Sequence, residues 1–296
     1  MIKKDKYIYA LGFFDGVHLG HQALIRECVT LAAQQKMRAA AVTFTSHPDA
    51  VVSGSAPWLI NTEKDRQHLL RQFGADTVVE LPFDEEMKHL CWRDFIRLLR
   101  SQYNAEGFVC GEDFRFGYQG EGNASLLQEY CKAAGLACMV VPEQQVTGIR
   151  VSSTYIRKLL EDGDMEQAVR FLGHAHVISG KVIPGRGLGH TIGIPTANLT
   201  IPEGIVCPQK GVYACKAMVN GQEYLAVTNI GSRPTVDGHH VTVEPWILDF
   251  DGDLYGKEIT LAFYKYLRPE KKFGDLGKLK AEIEKNEAQT REFFEK

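Results

Sequence analysis

Two histidines close the segment Leu11-Gly12-Phe13-Phe14-Asp15-Gly16-Val17-His18-Leu19-Gly20-His21, and their spacing suits phosphate chemistry. The glycines at 12, 16 and 20 permit tight turns and close backbone approach. A helix opening just beyond them offers unpaired N–H groups and the positive end of its dipole to an anion. His18 and His21 can both donate hydrogen bonds to oxygens that gain charge when the bond between the α and β phosphates of a nucleotide breaks. No nucleophilic side chain is required. A second set is Arg150-Val151-Ser152-Ser153-Thr154-Tyr155-Ile156-Arg157-Lys158. Ser153 or Thr154 can cap a helix there, while Arg150, Arg157 and Lys158 bring positive charge to its first turns, against the dipole preference. Cations so placed are expected to serve an anion.

The C-terminal half carries its own constellation. Gly185-Arg186-Gly187-Leu188-Gly189-His190 runs into Thr191-Ile192-Gly193-Ile194-Pro195-Thr196-Ala197-Asn198-Leu199. Backbone amides of such a glycine run, at Gly185, Gly187 and Gly189, can wrap a polyphosphate. Thr196 and Asn198 are two apart, so on extended backbone both point the same way, and their oxygens suit a magnesium ion that keeps most of its waters. Asn229-Ile230-Gly231-Ser232-Arg233-Pro234-Thr235 reads as a turn, and Glu244 sits on a mainly apolar strand pattern from Val241 to Phe250. An acid in that setting is either a paired structural charge or a general base for a hydroxyl attacking a γ-phosphate. Asp249, Asp251 and Asp253 imitate the start of a calcium loop, but Leu254 stands where glycine is needed and Thr260 where glutamate is needed. Calcium binding is rejected.

These residues need elements to hold them. Up to about residue 142, strand patterns at Ile8–Gly12, Ala39–Phe44, Thr77–Leu81, Phe108–Cys110 and Ala137–Val141 alternate with helical ones. One helix follows Gly20, with Leu24, Cys28 and Leu31 on a face, and a longer one is expected from Glu85 to Tyr103. That alternation implies a parallel sheet with helices on both faces, whose ligands bind at the C-terminal strand ends. Thr43-Phe44-Thr45-Ser46-His47-Pro48 and Gly111-Glu112-Asp113-Phe114-Arg115-Phe116-Gly117 leave two such ends, on the same edge as His18. After Leu172 the pattern changes to short strands at Val177–Ile183, Gly211–Val219, Glu223–Ile230, Val241–Phe250 and Glu258–Leu267, separated by Gly, Pro and Asn. A compact antiparallel barrel is expected, closed by an amphipathic helix from Leu276 to Phe294 with Leu276, Leu279, Ile283 and Phe293 apolar. The domains are expected at 1–175 and 176–296.

Composition narrows the partners. The chain has 296 residues, 44% hydrophobic and 24% charged, enough for two globular cores. With 34 Lys+Arg against 37 Asp+Glu the net charge is -3, so no basic surplus draws it to nucleic acid or an anionic membrane. Small-molecule partners are expected. The apolar run Tyr7–Phe14 stops at Asp15, too short for a signal-peptide core, and no later run could span a bilayer, so the expected location is the cytoplasm. Seven scattered cysteines without a C-x-x-C pair read as reduced thiols, and the paired histidines lack partners at zinc-ligand spacing.

Strand, turn, His-x-Gly-His and helix in that order resemble the nucleotidyltransferase superfamily. Taken with Gly111–Gly117, Ser152–Arg157, Gly189–Asn198, Gly211-Val212-Tyr213, Asn229–Thr235, Glu244, Leu254-Tyr255-Gly256 and Leu267-Arg268-Pro269-Glu270, the chain closely resembles the bacterial bifunctional riboflavin kinase/FMN adenylyltransferase family, also called FAD synthetases. The resemblance spans nearly the whole chain. It implies a Rossmann-like nucleotidyltransferase domain followed by a riboflavin kinase barrel. The barrel would make FMN from riboflavin and ATP, and the first domain would join FMN to AMP with release of pyrophosphate, with Mg2+ serving both. His18 and His21 would then stabilise the phosphate transition state with Arg157, while Gly12, Phe14, Asp15, Gly16, Ser153 and Thr154 would hold ATP. In the barrel, Gly185, Gly187 and Gly189 would bind ATP, Thr196 and Asn198 magnesium, and Glu244 would be the base. Asp113, Phe114 and Arg268 would contact flavin.

Three departures from the family pattern are Phe13, Ser46 before His47-Pro48, and Pro245-Trp246 after Glu244. Two other functions compete. An adenylyltransferase for another mononucleotide, such as nicotinamide mononucleotide, would explain the first half but not the barrel. A flavin- or nucleotide-binding regulator would be expected to lose His18, His21 or Glu244, and all three are present.

Overall fold

The computed structural model describes residues 5–184, 193–235 and 238–295. They divide into two compact units, one running to Trp58 and from Glu63 to Ser153, the other formed by Leu59–Thr62 and the chain from Thr154 onward.

The first unit is built on five parallel strands, β1 (Tyr7–Leu11), β2 (Arg38–Phe44), β3 (Thr77–Leu81), β4 (Ala105–Gly111) and β7 (Ala137–Val141). Their spatial order is β3-β2-β1-β4-β7, so the chain reverses direction across the sheet between β1 and β4. Central strands covered on both faces must be apolar throughout, and Ile8–Leu11, Ala39–Val42 and Gly107–Cys110 are buried without interruption. Two short ribbons, β5 (Arg115–Phe116) with β6 (Gly122–Asn123) and β8 (Gln145–Val146) with β9 (Ile149–Arg150), follow β4 and β7 at their C-terminal ends.

Helix α1 (Leu19–Gln35) buries Leu24, Ile25 and Cys28, and α2 (Pro48–Val52) and α3 (Glu63–Gln72) follow β2. The helix expected from Glu85 to Tyr103 is two helices, α4 (Glu85–His89) and α5 (Trp92–Tyr103). Leu90 and Cys91 are extended, and the break is held from outside: the Leu90 carbonyl accepts from Tyr118 N–H, and Trp92 N–H donates to Glu121. Apolar periodicity runs through the break, which is why it was invisible in sequence. Helix α5 buries Trp92, Phe95, Ile96 and Leu99 at helical spacing, and α6 (Ala124–Ala134) completes that side of the core.

After Leu59–Thr62, the second unit takes α7 (Ser153–Glu161) from Thr154 onward and α8 (Met165–Leu172), then β10 (His176–Lys181), β11 (Leu199–Thr200), β12 (Gly211–Val219), β13 (Gln222–Thr235), β14 (Gly238–Ile247) and β15 (Glu258–Arg268). Their order is β10-β15-β12-β13-β14-β11. The first and last strands approach each other, with Ile183 N–H donating to the Asn198 carbonyl, so the sheet nearly closes into a barrel. The segment Asn229–Thr235, expected as a turn, is instead strand: its ladder with β14 runs from Asn229 opposite Glu244 to Thr235 opposite Gly238. Cross-strand pairing overrides the local preference of Asn, Gly and Pro.

The C-terminal helix Leu276–Phe294 is capped by the Asp275 side chain, and Arg291 ties it to Asp249 through two contacts of 2.8 and 2.9 Å. Its apolar stripe is not a plain core face. Leu276 is 54% exposed, and the residues fully buried on this helix are Asn286 and Thr290. Leu279 and Ile283 border a cavity instead.

His176 is fully buried, its ring 6.0 Å from that of Phe263, and neither ring nitrogen has a hydrogen-bond partner among the described residues. Burial, with a smaller contribution from His174, pushes its pKa down to about 3 from the usual 6.5. The folded form thus refuses a proton that the unfolded chain accepts. Stability from this source is complete above pH 6.5 and is lost as pH falls toward 3. His176→Leu should therefore gain on the parent by up to ~1.4 kcal/mol per pH unit across that window, measured by denaturant unfolding at several pH values. A constant difference between parent and variant from pH 7 to pH 4 would contradict it.

Candidate active sites

The crevice above the β1/β4 reversal is where an open α/β sheet binds ligands, and the histidines lie there. Phe14 and Gly16 adopt left-handed backbone, φ 60° and 79°, in the turn between β1 and α1, which brings His18 to the N-terminus of that helix. Gly20 leaves room for the neighbouring ring, since a Cβ there would come 3.2 Å from His18. The His18 and His21 rings stack with centroids 3.6 Å apart and planes 14° apart. His18 Nδ1 accepts the His21 backbone N–H at 3.4 Å, so its proton belongs on Nε2. Burial, then His18 and the Arg66 guanidinium, hold His21 well below the ordinary imidazole range. His21 is therefore a neutral donor at physiological pH rather than a fixed cation.

A polar cavity of about 350 Å³ contains His18, His21, Gly12, Asp113 and Ser153 in its wall. The Ser153 hydroxyl donates to the Asp15 carbonyl at 2.9 Å. It does not cap the helix as expected, because α7 already begins at Ser153 and both Ser153 and Thr154 lie inside it. Asp113 pairs with Arg150, which also reaches Glu143 at 2.7 Å. Of the other expected contacts, Phe14 is fully buried and packs edge-on against His21 with centroids 5.2 Å apart, and Asp15 and Gly16 are buried beside it. They support the histidines from behind rather than line the cavity. Thr154 and Arg157 stand on α7 in the second unit.

Beside the polar cavity is a larger apolar one of about 600 Å³, with Phe44, Phe83, Met87, Leu90 and Phe116 in its wall. Phe44 and Phe116 belong to the two segments expected on this edge, whereas Phe83, Met87 and Leu90 carried no site signal in the sequence. The available signal was a cluster of aromatics in the loops after β2, β3 and β4. Gly12, Phe13, Phe114 and Arg115 border both cavities. Phe13 lies under the Arg66 guanidinium, 4.4 Å from its ring centroid, and 4.7 Å from the His47 ring. Arg66 was also missed. It is 1% exposed, donates to the Phe44 carbonyl at 2.7 Å, and burial lowers its pKa.

The barrel repeats this pairing of cavities. One, of about 330 Å³, is bordered by Pro195, Thr196, Ala197, Pro245, Asp251 and Tyr255. The other, of about 270 Å³, has Asn229, Glu244, Arg268 and Asn286 among apolar residues that include Val227 and Ile283. Thr196 borders both. Thr242 Oγ1 donates to Glu244 Oε1 at 3.0 Å, and Asn229 faces Glu244 across the ladder. Asn198 is buried two residues beyond Thr196, and the Pro245 carbonyl accepts the Ala197 N–H at 2.9 Å. Gly185, Gly187 and Gly189 lie outside the described residues.

Two family models match, one described as FAD synthetase over residues 2–155 and one as riboflavin kinase over residues 172–294. The chain is 35% identical to the bifunctional riboflavin kinase/FMN adenylyltransferase of Listeria monocytogenes, over 98% of this chain and 93% of that one. The chain belongs to this family. The Escherichia coli K12 protein of the same name is 36% identical over 97% of this chain and 92% of its own length. A crystal structure titled macrolide-efflux protein, from Streptococcus pneumoniae, covers 98% of this chain and 95% of its own with TM-score 0.88 and 28% identity. That likeness concerns the fold, and efflux is a statement about that protein. No described helix is long and apolar enough to cross a membrane. Family membership assigns two activities to one chain, riboflavin kinase and FMN adenylyltransferase.

Proposed function

We propose that each half of the chain brings a phosphate cavity and a flavin cavity together at a shared wall, and that the two reactions occur at those walls. The observation that carries this reading is the repeated pairing: Gly12, Phe13, Phe114 and Arg115 border both cavities of the first unit, and Thr196 borders both cavities of the barrel. The expected boundary near residue 175 lies close to the start of the kinase match at residue 172, whereas the compact units divide after Ser153, so that α8 and nearly all of α7 belong to the same unit as the barrel.

In the barrel, riboflavin occupies the cavity with Glu244. Its terminal ribityl hydroxyl attacks the γ-phosphate of ATP, the bond to ADP breaks, and Glu244 takes the hydroxyl proton. Thr242 steadies the Glu244 carboxylate for that task. Magnesium is assigned to Thr196, on the wall the two cavities share, and to Asn198, which is buried two residues on and lines neither cavity; their neutral oxygens suit a hard cation whose charge is met by ATP phosphates. When bound, the ion would neutralise charge on those phosphates. Arg268, expected at the flavin, lines the cavity while its Nε donates to Asn286 at 3.0 Å.

In the first unit, ATP takes the polar cavity and the flavin ring the apolar one. A phosphate oxygen of FMN attacks the α-phosphate, FAD forms and pyrophosphate leaves. The nucleophile is already an anion, so no base is needed, and His18 Nε2–H and the neutral His21 donate to the oxygens that gain charge. Asp113 is assigned to the polar cavity through its pair with Arg150, and Phe114 to the flavin. The ATP that both reactions consume supports a cytoplasmic location, which cell fractionation would check.

Arg115 has no hydrogen bond or ion pair from its side chain to the described residues and lies where the two cavities meet. It is assigned to the FMN phosphate. Arg115→Gln should raise KM for FMN in adenylyl transfer by about tenfold, the cost of one charge-assisted contact, and leave riboflavin phosphorylation unchanged. An unchanged KM for FMN in steady-state assays would remove Arg115 from this role.

A further inference from the structure

The C-terminal helix turns one stripe toward the Glu244 cavity: Leu279, Ile283 and Asn286, spaced four and three residues apart. Two are apolar and the third is an amide. Asn286 is 1% exposed. Its Oδ1 accepts Arg268 Nε at 3.0 Å, and Arg268 has only donors to offer, so the amide orientation is fixed. The Nδ2 group must point the other way. There it meets no acceptor among the described residues. A buried amide donor left unpaired is costly, and at a cavity wall the natural partner is a ligand acceptor.

We infer that Asn286 is a specificity-determining residue of the kinase, donating its Nδ2–H to a ring carbonyl oxygen of the isoalloxazine. This rests on reading the cavity as the riboflavin site. The ring carbonyl is favoured over a ribityl hydroxyl by the neighbours on the same stripe. Leu279 and Ile283 present apolar surface suited to a planar ring, whereas the reacting hydroxyl belongs at Glu244, in the cavity that shares Thr196 with its neighbour. Asn286 would thus read the polar edge of the ring while Glu244 acts at the other end of the substrate. Arg268 acts through it, by fixing which way the amide faces.

Asn286→Asp separates this role from a structural one. The carboxylate keeps an oxygen for Arg268 but has no N–H for the cavity. Riboflavin KM should rise at least about tenfold, with kcat within about threefold and KM for ATP unmoved, because the lost contact is equal in ground and transition states. Adenylyl transfer to supplied FMN should not change. Riboflavin analogues with sulfur in place of the ring oxygen at C2 or at C4 give a second readout. The parent should discriminate against one of them by about tenfold, and the Asp variant should not, since a site built to donate a hydrogen bond penalises a poorer acceptor. An Asp variant with the parent's riboflavin KM, or a parent that accepts both sulfur analogues as well as riboflavin, overturns the assignment. A parent that phosphorylates no riboflavin at all overturns the reading of the cavity itself and the proposal with it.

Discussion

Glu244→Gln is expected to slow riboflavin phosphorylation by roughly 10²–10⁴-fold while the protein stays folded, the usual contribution of a positioned general base. Glutamine keeps the shape of the side chain and an oxygen for the Thr242 hydroxyl that Glu244 accepts at 3.0 Å. What it loses is the ability to take a proton. The loss should fall on kcat, because the proton moves only as the hydroxyl attacks. FAD formation from supplied FMN should persist at the parent rate, since its nucleophile is an anionic phosphate. A variant that phosphorylates riboflavin as fast as the parent would make Glu244 a structural acid.

His21→Ala is expected to cost on the order of 100-fold in adenylyl transfer and to leave the kinase within about threefold, as for removal of one preorganised donor to a developing charge. His21→Gln should recover part of the loss. The reason is that burial and the adjacent Arg66 keep His21 neutral, so a neutral amide N–H is a fair replacement for it. Rates of FAD formation from FMN and MgATP, taken on the two variants side by side, check this. Normal rates in the Ala variant would take His21 out of the chemistry. Together with Glu244→Gln, this variant tests the division of labour: each change should silence one reaction and spare the other.

The sequence carried the elements better than the cavities. Strands with continuous apolar runs, such as Ile8–Leu11 and Ala39–Val42, were legible because burial on both faces of a sheet imposes their composition. Glu244 stood out because an acid on an apolar strand needs an explanation. Residues whose role depends on three-dimensional neighbours did not stand out. Phe83 and Met87 carried no site signal until the structure set them around a cavity with Phe44 and Phe116. Arg66 drew no attention in the sequence, yet it is 1% exposed, and its Nε and one terminal nitrogen have no hydrogen-bond partner among the described residues. Asn286 sits in a charged helix where nothing local marks it. Conversely, Asn229–Thr235 carried turn residues yet forms strand, because β14 pairs with it. The break at Leu90-Cys91 depends on Tyr118 and Glu121, which are distant in sequence. Phe14 and Asp15 belonged to the expected motif, and the structure buries both beside the histidines.

Both halves of this chain are expected to be working sites for consecutive reactions. The direct measurement is to incubate the purified protein with riboflavin and MgATP and to separate the flavins by chromatography over time. FMN should appear first and FAD after it, with ADP and pyrophosphate released. Riboflavin left unconverted would contradict the barrel site, and FMN that accumulates without any FAD would contradict the site built on His18 and His21.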